Sequence, residues 1–261
     1  MKQFILNREP ECGLIRLKGD DYHYLVRVRR LAVGEFFPAV LPNGVETLIQ
    51  VLSTDHGVLT GRRASSAERV PQAVNLSPII LFQALPKGEK MSLIARQAAE
   101  GGITEVVPFV SEFSVSKIKE GEGRKFSRWE RVIKEARQQS GSAIATVIRP
   151  PVDLDGLFDY WEEFKRKGAL GLFFHHQPLE NSSLHGYLDN NPQLVVLAVG
   201  PEGGFSDNEV SRFRDNGFNP LTIGDTILRT ETAALYCAAA VRVLLLEKNS
   251  WQMKKVKIGS E

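Results

Sequence analysis

The stretch VVLAVGPEGG, which is Val195–Gly204, decides the fold class because it joins an apolar strand directly to a glycine-rich turn. A continuous apolar run of this length is typical of a strand buried on both faces of a parallel sheet. The glycines of Gly200–Gly204 permit positive φ values and a close approach of the backbone to a ligand. Ser206 and Glu209 follow with the spacing of a capping box, which predicts that a helix begins there. The glycine spacing differs from the dinucleotide fingerprint and from the P-loop, which disfavours nicotinamide and ATP as ligands.

A second crossover of this kind lies nearer the carboxyl end, at Ile223–Ala234, where the sequence reads IGDTILRTETAA. Thr230 or Thr232 suits the N-cap of the helix that follows. Residues 233–246 are apolar around almost the whole helix circumference, and Arg242 is the main interruption. Such a helix must be buried against more than one neighbour, either within the chain or at a subunit interface. The two crossovers together predict a ligand site, and a turn needed only for packing is the alternative for the first of them.

Outward from these crossovers, residues 76–247 alternate between strand-like and helix-like segments. This alternation predicts an α/β domain with a mostly parallel sheet, helices on both faces and ligands at the carboxyl ends of the strands. The predicted strands are Ile79–Ala84, Thr104–Val110, Thr146–Arg149, Ala169–His175, Leu194–Val199 and Leu221–Gly224. The predicted helices are Lys87–Glu100, Lys125–Ser140, Leu157–Lys167, Ser206–Asn216 and Thr230–Glu247.

The first part of the chain, to about Ala64, instead alternates short β-like runs with turn signals. This predicts a small, mostly β domain with the form of a barrel. Ser65–Asn75 is polar and lacks periodicity, so it is interpreted as a linker. The domains are therefore predicted to be residues 1–70 and 71–261. The predicted elements of the first domain are the strands Gly13–Lys18, Glu35–Val40, Thr47–Ser53 and Val58–Arg62 and a helix at Asp21–Arg30.

The composition is that of a globular protein, because 43% of the residues are hydrophobic and 25% are charged. With only two cysteines, the chain suits a reducing compartment, which we take to be the cytoplasm. No apolar run is long enough to span a bilayer, and the first residues lack the apolar core of a secretion signal. Cys12 and Cys237 lie in different halves of the chain and suggest neither a disulfide framework nor a metal site. His175 and His176 are neighbours in a predicted strand, so their side chains should point to opposite faces, and no metal is expected.

Basic side chains are concentrated in the first part of the chain. Residues 1–150 carry 22 Lys and Arg against 16 Asp and Glu, whereas residues 151–261 carry 11 against 15. A polyanion should therefore meet the amino-terminal part first. Tyr22 and Tyr24 are expected to stack on bases beside phosphate-binding arginines. The arginines expected to contact RNA are Arg27, Arg29, Arg30, Arg62 and Arg63.

GPEGGFSDNEV at Gly200–Val210, followed by LRTETAA at Leu228–Ala234, resembles the RsmE family of the SPOUT methyltransferases. The resemblance covers nearly the whole chain. HYLVRVRRLAVGEF at His23–Phe36 looks like the opening of the family's PUA-like RNA-binding domain, and Ala84–Val107 looks like the start of its catalytic domain. The resemblance implies a small PUA-like β-barrel followed by a SPOUT domain whose chain forms a trefoil knot, a rare exception to unknotted topology.

The same resemblance implies an activity and its partners. The cofactor would be S-adenosylmethionine, and the methyl acceptor would be N3 of a uridine in small-subunit (16S) ribosomal RNA, either free or within the small ribosomal subunit. The protein would act as a homodimer through its carboxyl-terminal domain. The residues implied to bind the cofactor are Phe174, His175, Gly200, Pro201, Glu202, Gly203, Gly204, Ile223, Gly224, Leu228, Thr230, Thr232 and Ala233.

Among the charged residues on the two glycine loops, Glu202 and Arg229 are the candidate catalytic residues. N3 of uridine must lose its proton before or during attack on the methyl group. Arg229 is therefore expected to stabilise negative charge on the base or to hold a phosphate, and Glu202 either accepts the proton or accepts loop amides in a structural role.

Two other functions stay open at this point. Another SPOUT enzyme, acting on the ribose 2′-O or on a different base, would share the cofactor loops. An RNA-binding assembly factor would keep the fold with a vestigial cofactor pocket. Gln139-Ser140 continues here with Gly141-Ser142, where the family pattern continues with Gly-Arg, so the chain departs from the pattern mainly on the acceptor side.

Overall fold

The computed structural model describes residues 4–42, 45–64, 77–115, 123–142, 144–180 and 183–248. The contacts divide the chain into two compact units. The first comprises residues 1–74 and 134–145, and the second comprises residues 75–133 and 146–261. The predicted linker, Ser65–Asn75, lies outside the described residues. Residues 134–145 group with the first unit, whereas the sequence pattern assigned all of 71–261 to one domain.

The first unit contains a five-stranded sheet with the order β1-β3-β4-β5-β2. β1 and β3 are parallel, and the other neighbours are antiparallel. Side chains alternate along β2 and β4, because one face of the sheet packs on a core that contains Leu25, Phe37 and Ile49. The strands are β1 (Phe4–Ile5), β2 (Leu14–Lys18), β3 (Phe36–Val40), β4 (Glu46–Ser53) and β5 (Val58–Arg63).

The predicted helix of this unit divides into a short α-helical turn, α1 (Asp20–Tyr22), and a π-helical turn at His23–Val28. Tyr22 Oη donates a hydrogen bond to the carbonyl of Thr54 at 3.1 Å. Lys134, which belongs to the same unit, forms an ion pair with Asp21 at 3.0 Å. These contacts attach the helical turns to the sheet of the first unit and to residues far along the chain.

The second unit is built on a six-stranded sheet in which every neighbouring pair is parallel, with the order β11-β9-β10-β6-β7-β8. This confirms the prediction of an α/β fold with a mostly parallel sheet. All side chains of the central strands β6 and β10 are buried, as their continuous apolar runs predict. The strands are β6 (Ile79–Ala84), β7 (Glu105–Phe109), β8 (Val147–Ile148), β9 (Leu170–Phe174), β10 (Val195–Val199) and β11 (Asn219–Leu221).

In the described residues five helices lie between these strands and a sixth follows the last of them: α2 (Lys90–Glu100), α3 (Gly123–Ser140), α4 (Leu154–Lys165), α5 (Leu184–Leu188), α6 (Asp207–Asp215) and, after β11, α7 (Thr230–Lys248). Helix α4 begins earlier than predicted because the Asp153 side chain accepts a hydrogen bond from the amide of Gly156 at 2.8 Å. No helix in the described ranges is long and apolar enough to span a membrane.

Candidate functional site

The carboxyl ends of β9, β10 and β11 meet at a cavity of about 330 Å³. Twelve of the thirteen residues implied to bind a cofactor line it: Phe174, His175, Gly200, Pro201, Glu202, Gly203, Gly204, Ile223, Gly224, Leu228, Thr230 and Ala233. The two glycine crossovers, which are separate in sequence, therefore both line one cavity. This is the edge of the sheet at which parallel α/β proteins bind ligands.

Thr232 is the predicted residue that does not line the cavity; it is exposed on the first turn of α7. Thr230, Ala233 and Cys237 line the cavity with the i, i+3, i+7 spacing of a single helix face, and Thr232 lies on another face. Cys237 could have been found from this spacing. Other lining residues that the sequence reasoning did not select are His176, Val199, Phe205, Thr222, Thr226 and Ile227.

A buried hydrogen bond joins the two crossovers. The hydroxyl of Thr230 donates to the carbonyl of Gly200 at 2.6 Å and accepts from Nε2 of Gln83 at 3.0 Å. Thr230 is 4% exposed and Gln83 is fully buried, so water competes little for these bonds. The start of α7 is thus fixed to the end of β10 and to β6.

The glycine turn leaves no space for side chains at its centre. A Cβ atom on Gly200 would lie 3.1 Å from the carbonyl carbon of Gly204, and Gly204 itself has a φ of +73°. The chain leaves the turn through Phe205, whose buried ring lies 4.9 Å from that of Phe213. The two ends of the turn, Gly200 and Gly204, therefore lie against each other, and the residue that follows is anchored in the core.

The helix after the turn begins with the predicted capping box. Ser206 Oγ accepts from the amide of Glu209 at 3.3 Å, and Glu209 Oε2 accepts from the amide of Ser206 at 3.0 Å. The Glu209 carboxylate also accepts from the Ser111 hydroxyl at 3.1 Å and the Glu112 amide at 3.0 Å. It is 1% exposed, so these donors compensate for burial of the carboxylate and hold the segment after β7 against α6.

Glu202 is held by neighbours on the α2 side of the cavity. Its Oε1 atom lies 2.8 Å from Lys90 Nζ, and both of its oxygens accept from the Lys87 amide, at 3.2 and 3.3 Å. Burial alone would raise the pKa of Glu202, but these hydrogen bonds outweigh it and lower the pKa below its ordinary value. A carboxylate with a lowered pKa is a weak base at neutral pH, which favours the structural role of Glu202 over proton abstraction.

Arg229 precedes α7 and is exposed. Its carbonyl accepts from the amides of Thr232 at 2.9 Å and Ala233 at 2.8 Å, so its backbone begins the helix. The residues on either side of it, Leu228 and Thr230, line the cavity. The Arg229 guanidinium therefore belongs to a residue between two cavity-lining residues, and it is accessible to a large substrate.

His175 and His176 have their ring centroids 4.4 Å apart. The expectation that their side chains point to opposite faces is wrong, because β9 ends at Phe174 and both residues belong to the following loop. Both line the cavity, and the Gln177 amide donates to Nδ1 of His175 at 3.2 Å. Within the described residues, no group of three or more His, Cys, Asp or Glu side chains is arranged to hold a metal ion.

The predicted RNA-contacting arginines belong to the first unit and differ in exposure. Arg27, Arg30 and Arg62 are exposed, whereas Arg29 and Arg63 are partly buried. Arg62 and Arg63 are adjacent in β5, so they lie on opposite faces of the sheet.

The aromatic residues predicted to accompany these arginines pack inside the first unit instead. The Tyr24 ring stacks on Phe4 with a centroid distance of 6.2 Å, and Tyr22 packs against the same core. Base stacking on these two tyrosines is therefore not supported by the structure, because their rings already contact apolar side chains.

Comparison with known proteins gives a consistent result. The profile of the family described as RNA methyltransferase domain matches residues 74–242. The chain is 33% identical over 234 residues to ribosomal RNA small subunit methyltransferase E of Synechocystis sp., which covers 88% of this chain and 73% of that protein. It is 32% identical over 226 residues to the protein of the same name from Aquifex aeolicus, which covers 85% and 90%.

Two solved structures share the fold over almost the full length. A methyltransferase of Legionella pneumophila, in complex with the bound cofactor S-adenosylmethionine, has a TM-score of 0.76 and 29% identity, covering 92% of this chain and 95% of that one. Ribosomal RNA small subunit methyltransferase E of Neisseria gonorrhoeae, bound to the same molecule, has a TM-score of 0.78 and 22% identity, covering 94% and 98%. With the family match, this chain belongs to the RNA methyltransferases and, among them, to the ribosomal RNA small subunit methyltransferase E family.

Proposed function

We propose that this protein transfers a methyl group from S-adenosylmethionine to N3 of a uridine in small-subunit (16S) ribosomal RNA, in the cytoplasm. The observation that carries the proposal is the cavity formed jointly by the two glycine crossovers and linked by the Thr230–Gly200 hydrogen bond. The names of the relatives support a ribosomal RNA substrate, and the two cofactor-bound structures support the methyl donor. The resemblance of the GPEGG and LRTETAA motifs to the RsmE family supports the uridine N3 position.

The residues around the cavity fit this cofactor. Its volume is in the range of sites for small organic ligands. Val199, Leu228 and Ala233 provide apolar surface, while the glycine turn offers backbone groups without side chains in the way. When bound, S-adenosylmethionine supplies a methyl group that its sulfonium already activates. The protein's own contribution is therefore to align the acceptor with the methyl group and to exclude water.

Arg229 is proposed to act on the acceptor side. Loss of the N3 proton to solvent water leaves negative charge on the uracil ring and its two oxygens, and an exposed guanidinium beside the cavity can stabilise that charge. Glu202 is proposed to hold the glycine turn in place through Lys90 and the Lys87 amide.

The test is mass spectrometry of nucleosides from the small-subunit RNA of a deletion strain, with and without the gene restored. We expect 3-methyluridine to be lost and restored. Retention of 3-methyluridine with loss of a ribose-methylated nucleoside would instead support a 2′-O enzyme. An unchanged nucleoside profile, combined with no measurable binding of S-adenosylmethionine, would support the RNA-binding assembly factor.

We also propose that α7 completes a trefoil knot in the second unit. β11 is the edge strand next to β9, yet α7, which follows it, packs against the central strands β6 and β10. The first residue of α7, Thr230, is hydrogen-bonded to the residue that follows β10.

For the first unit we propose a PUA-like barrel that begins at residue 1 and ends near residue 70.

The proposed homodimer uses the apolar face that α7 exposes. Leu235, Tyr236 and Val243 are 40%, 53% and 51% exposed on this helix. Leu235 and Val243 also border a mainly apolar cavity of about 190 Å³ between α2 and α7. A second copy of the same surface would bury these side chains in an isologous contact.

Leu235→Glu combined with Val243→Glu is expected to convert a dimer to a monomer, because each protomer would bring two unpaired carboxylates into the contact. Sedimentation velocity measures the change. Val147→Glu, which places the same charge at another exposed apolar position of the second unit, is the control and should remain dimeric. A monomeric wild-type protein would contradict the proposed dimer.

The proposed RNA contacts make a prediction about salt. Arg27→Ala with Arg30→Ala should weaken binding of a small-subunit RNA fragment and reduce the slope of log K against log salt by about 1.4, since each phosphate contact on single-stranded RNA contributes about 0.7. Filter binding across a salt series measures this slope. Lys165→Ala with Lys167→Ala removes two exposed charges from the other unit and should leave the slope unchanged. An unaltered slope in the arginine variant would exclude these side chains from phosphate contact.

A further inference from the structure

Lys90, the first residue of α2, connects the two glycine crossovers without lining the cavity. Its Nζ atom lies 2.8 Å from Oε1 of Glu202, on the first crossover, and 3.3 Å from Oε2 of Glu231, in the first turn of α7. Glu202 and Glu231 belong to the two segments that line the cavity and are joined by the Thr230–Gly200 hydrogen bond. One ammonium therefore contacts an acidic side chain from each segment.

The charges make this arrangement sensitive to Lys90. Two carboxylates on either side of one ammonium repel each other when that ammonium is removed. Glu231 is 13% exposed and Glu202 is 36% exposed, so solvent screens the repulsion only in part. Hydrogen bonding to Glu202 also raises the pKa of Lys90 above its ordinary value, which keeps the group charged across the physiological range.

The crossovers are thus joined at two places. The Thr230–Gly200 bond is the buried link, and the Glu202–Lys90–Glu231 bridge is the link nearer to solvent. A single link would fix one point of contact and leave the segments free to rotate about it. Two links also fix the orientation of one segment relative to the other.

We propose that Lys90 is a positioning residue that holds the two lining segments of the cofactor cavity in their relative position by neutralising Glu202 and Glu231 together. The inference rests on the proposed location of the cofactor in this cavity. Lys90 acts through the two glutamates, so its effect on cofactor binding comes from cancelling the repulsion between Glu202 and Glu231.

Isothermal titration calorimetry with S-adenosylmethionine tests this proposal. Lys90→Met should weaken binding about fivefold to tenfold, within the range of a partly buried charge pair. Lys90→Arg, which keeps the charge, should stay within about threefold of the wild-type protein. The control is Arg96→Met, which removes a charge from an exposed position on the same helix and should leave affinity unchanged.

A second variant separates charge balance from packing. Lys90→Met combined with Glu231→Gln removes the repulsion together with the ammonium, so it should recover at least about half of the lost affinity on a logarithmic scale. Recovery supports the proposal. A double variant that binds as weakly as Lys90→Met contradicts it, and so does a Lys90→Met protein with wild-type affinity.

Melting temperatures of the same samples identify a folding defect. If Lys90→Met does not fold, Glu202→Gln tests the proposal with Lys90 present, because it weakens the ion pair between Lys90 and position 202. This variant should reduce affinity for S-adenosylmethionine at least about twofold. Unchanged affinity overturns the proposal. Failure of the wild-type protein to bind S-adenosylmethionine would contradict the proposed function itself. Normal wild-type binding with neutral Lys90 variants would contradict the bridge alone.

Discussion

Gly200→Val is expected to weaken binding of S-adenosylmethionine about 100-fold, or about 2.7 kcal/mol. A Cβ atom at this position meets backbone: it lies 3.1 Å from the carbonyl carbon and 3.3 Å from the Cα of Gly204, and 3.4 Å from the Phe205 amide nitrogen. Backbone atoms cannot rotate away as a flexible side chain can, so a valine must open the turn. Calorimetry with the cofactor measures the loss.

Two other glycines calibrate this result. A Cβ atom on Gly203 meets the Cβ of Phe113 at 3.0 Å, which side-chain rotation cannot move, so Gly203→Val should also weaken binding by displacing the turn or the segment that carries Phe113. A Cβ atom on Gly123, at the start of α3, meets nothing within 4 Å, so Gly123→Val should bind normally. Unchanged affinity in Gly200→Val, with an unchanged melting temperature, would mean that the turn serves packing alone.

Arg229→Ala is expected to lower kcat by about 10²–10³-fold, the loss typical of removing one group that stabilises charge in the transition state. Affinity for S-adenosylmethionine should stay within about threefold, because Arg229 does not line the cavity. Single-turnover methyl transfer to a small-subunit RNA fragment, at saturating cofactor, measures the rate.

Arg229→Lys should recover part of this loss, since it keeps the positive charge but not the planar fork of donors. The matched control is Arg166→Ala, which removes an exposed arginine at the end of α4 and should leave kcat unchanged. A wild-type kcat in Arg229→Ala would remove this residue from the reaction. A loss of cofactor affinity equal to the loss of kcat would assign it to cofactor binding.

Much of the second unit could be predicted because its central strands β6 and β10 are fully buried and helices α4 and α6 begin at local capping residues. The apolar runs at Ile79–Ala84 and Val195–Val199 need no long-range information to be recognised. The last strand was placed too late, at Leu221–Gly224 in place of Asn219–Leu221. Asn219 and Pro220 are poor strand formers, and they are tolerated here because β11 is an edge strand.

Shorter elements carried too little pattern to be found. β1 has two residues and α5 has five, so neither is long enough for its periodicity to repeat and be recognised. The π-helical turn at His23–Val28 was predicted as an ordinary helix because its residues carry no signal for the wider hydrogen-bond spacing.

The cavity loops were accessible to sequence reasoning because glycine spacing and motif order are local. Thr232 was misplaced because the position of the helix start, and so the rotation of its faces, depends on contacts of Thr230 with distant strands. Lys90 left no signal in the sequence, because its partner Glu202 is 112 residues away. The sequence also could not show that Tyr22 and Tyr24 are partly buried against the core of the first unit, since that packing depends on the folded chain.

The hydroxyl of Thr230 meets Gly200 and Gln83, which precede it by 30 and 147 residues. During synthesis the three participants leave the ribosome at different times, and the hydroxyl emerges last. The nascent polypeptide can pair its central strands before that moment, but the socket for the methyl donor closes only when α7 arrives. The ability to bind the cofactor should therefore appear later in folding than pairing of the central strands. The interval between the two events would measure how long the most non-local step of folding takes.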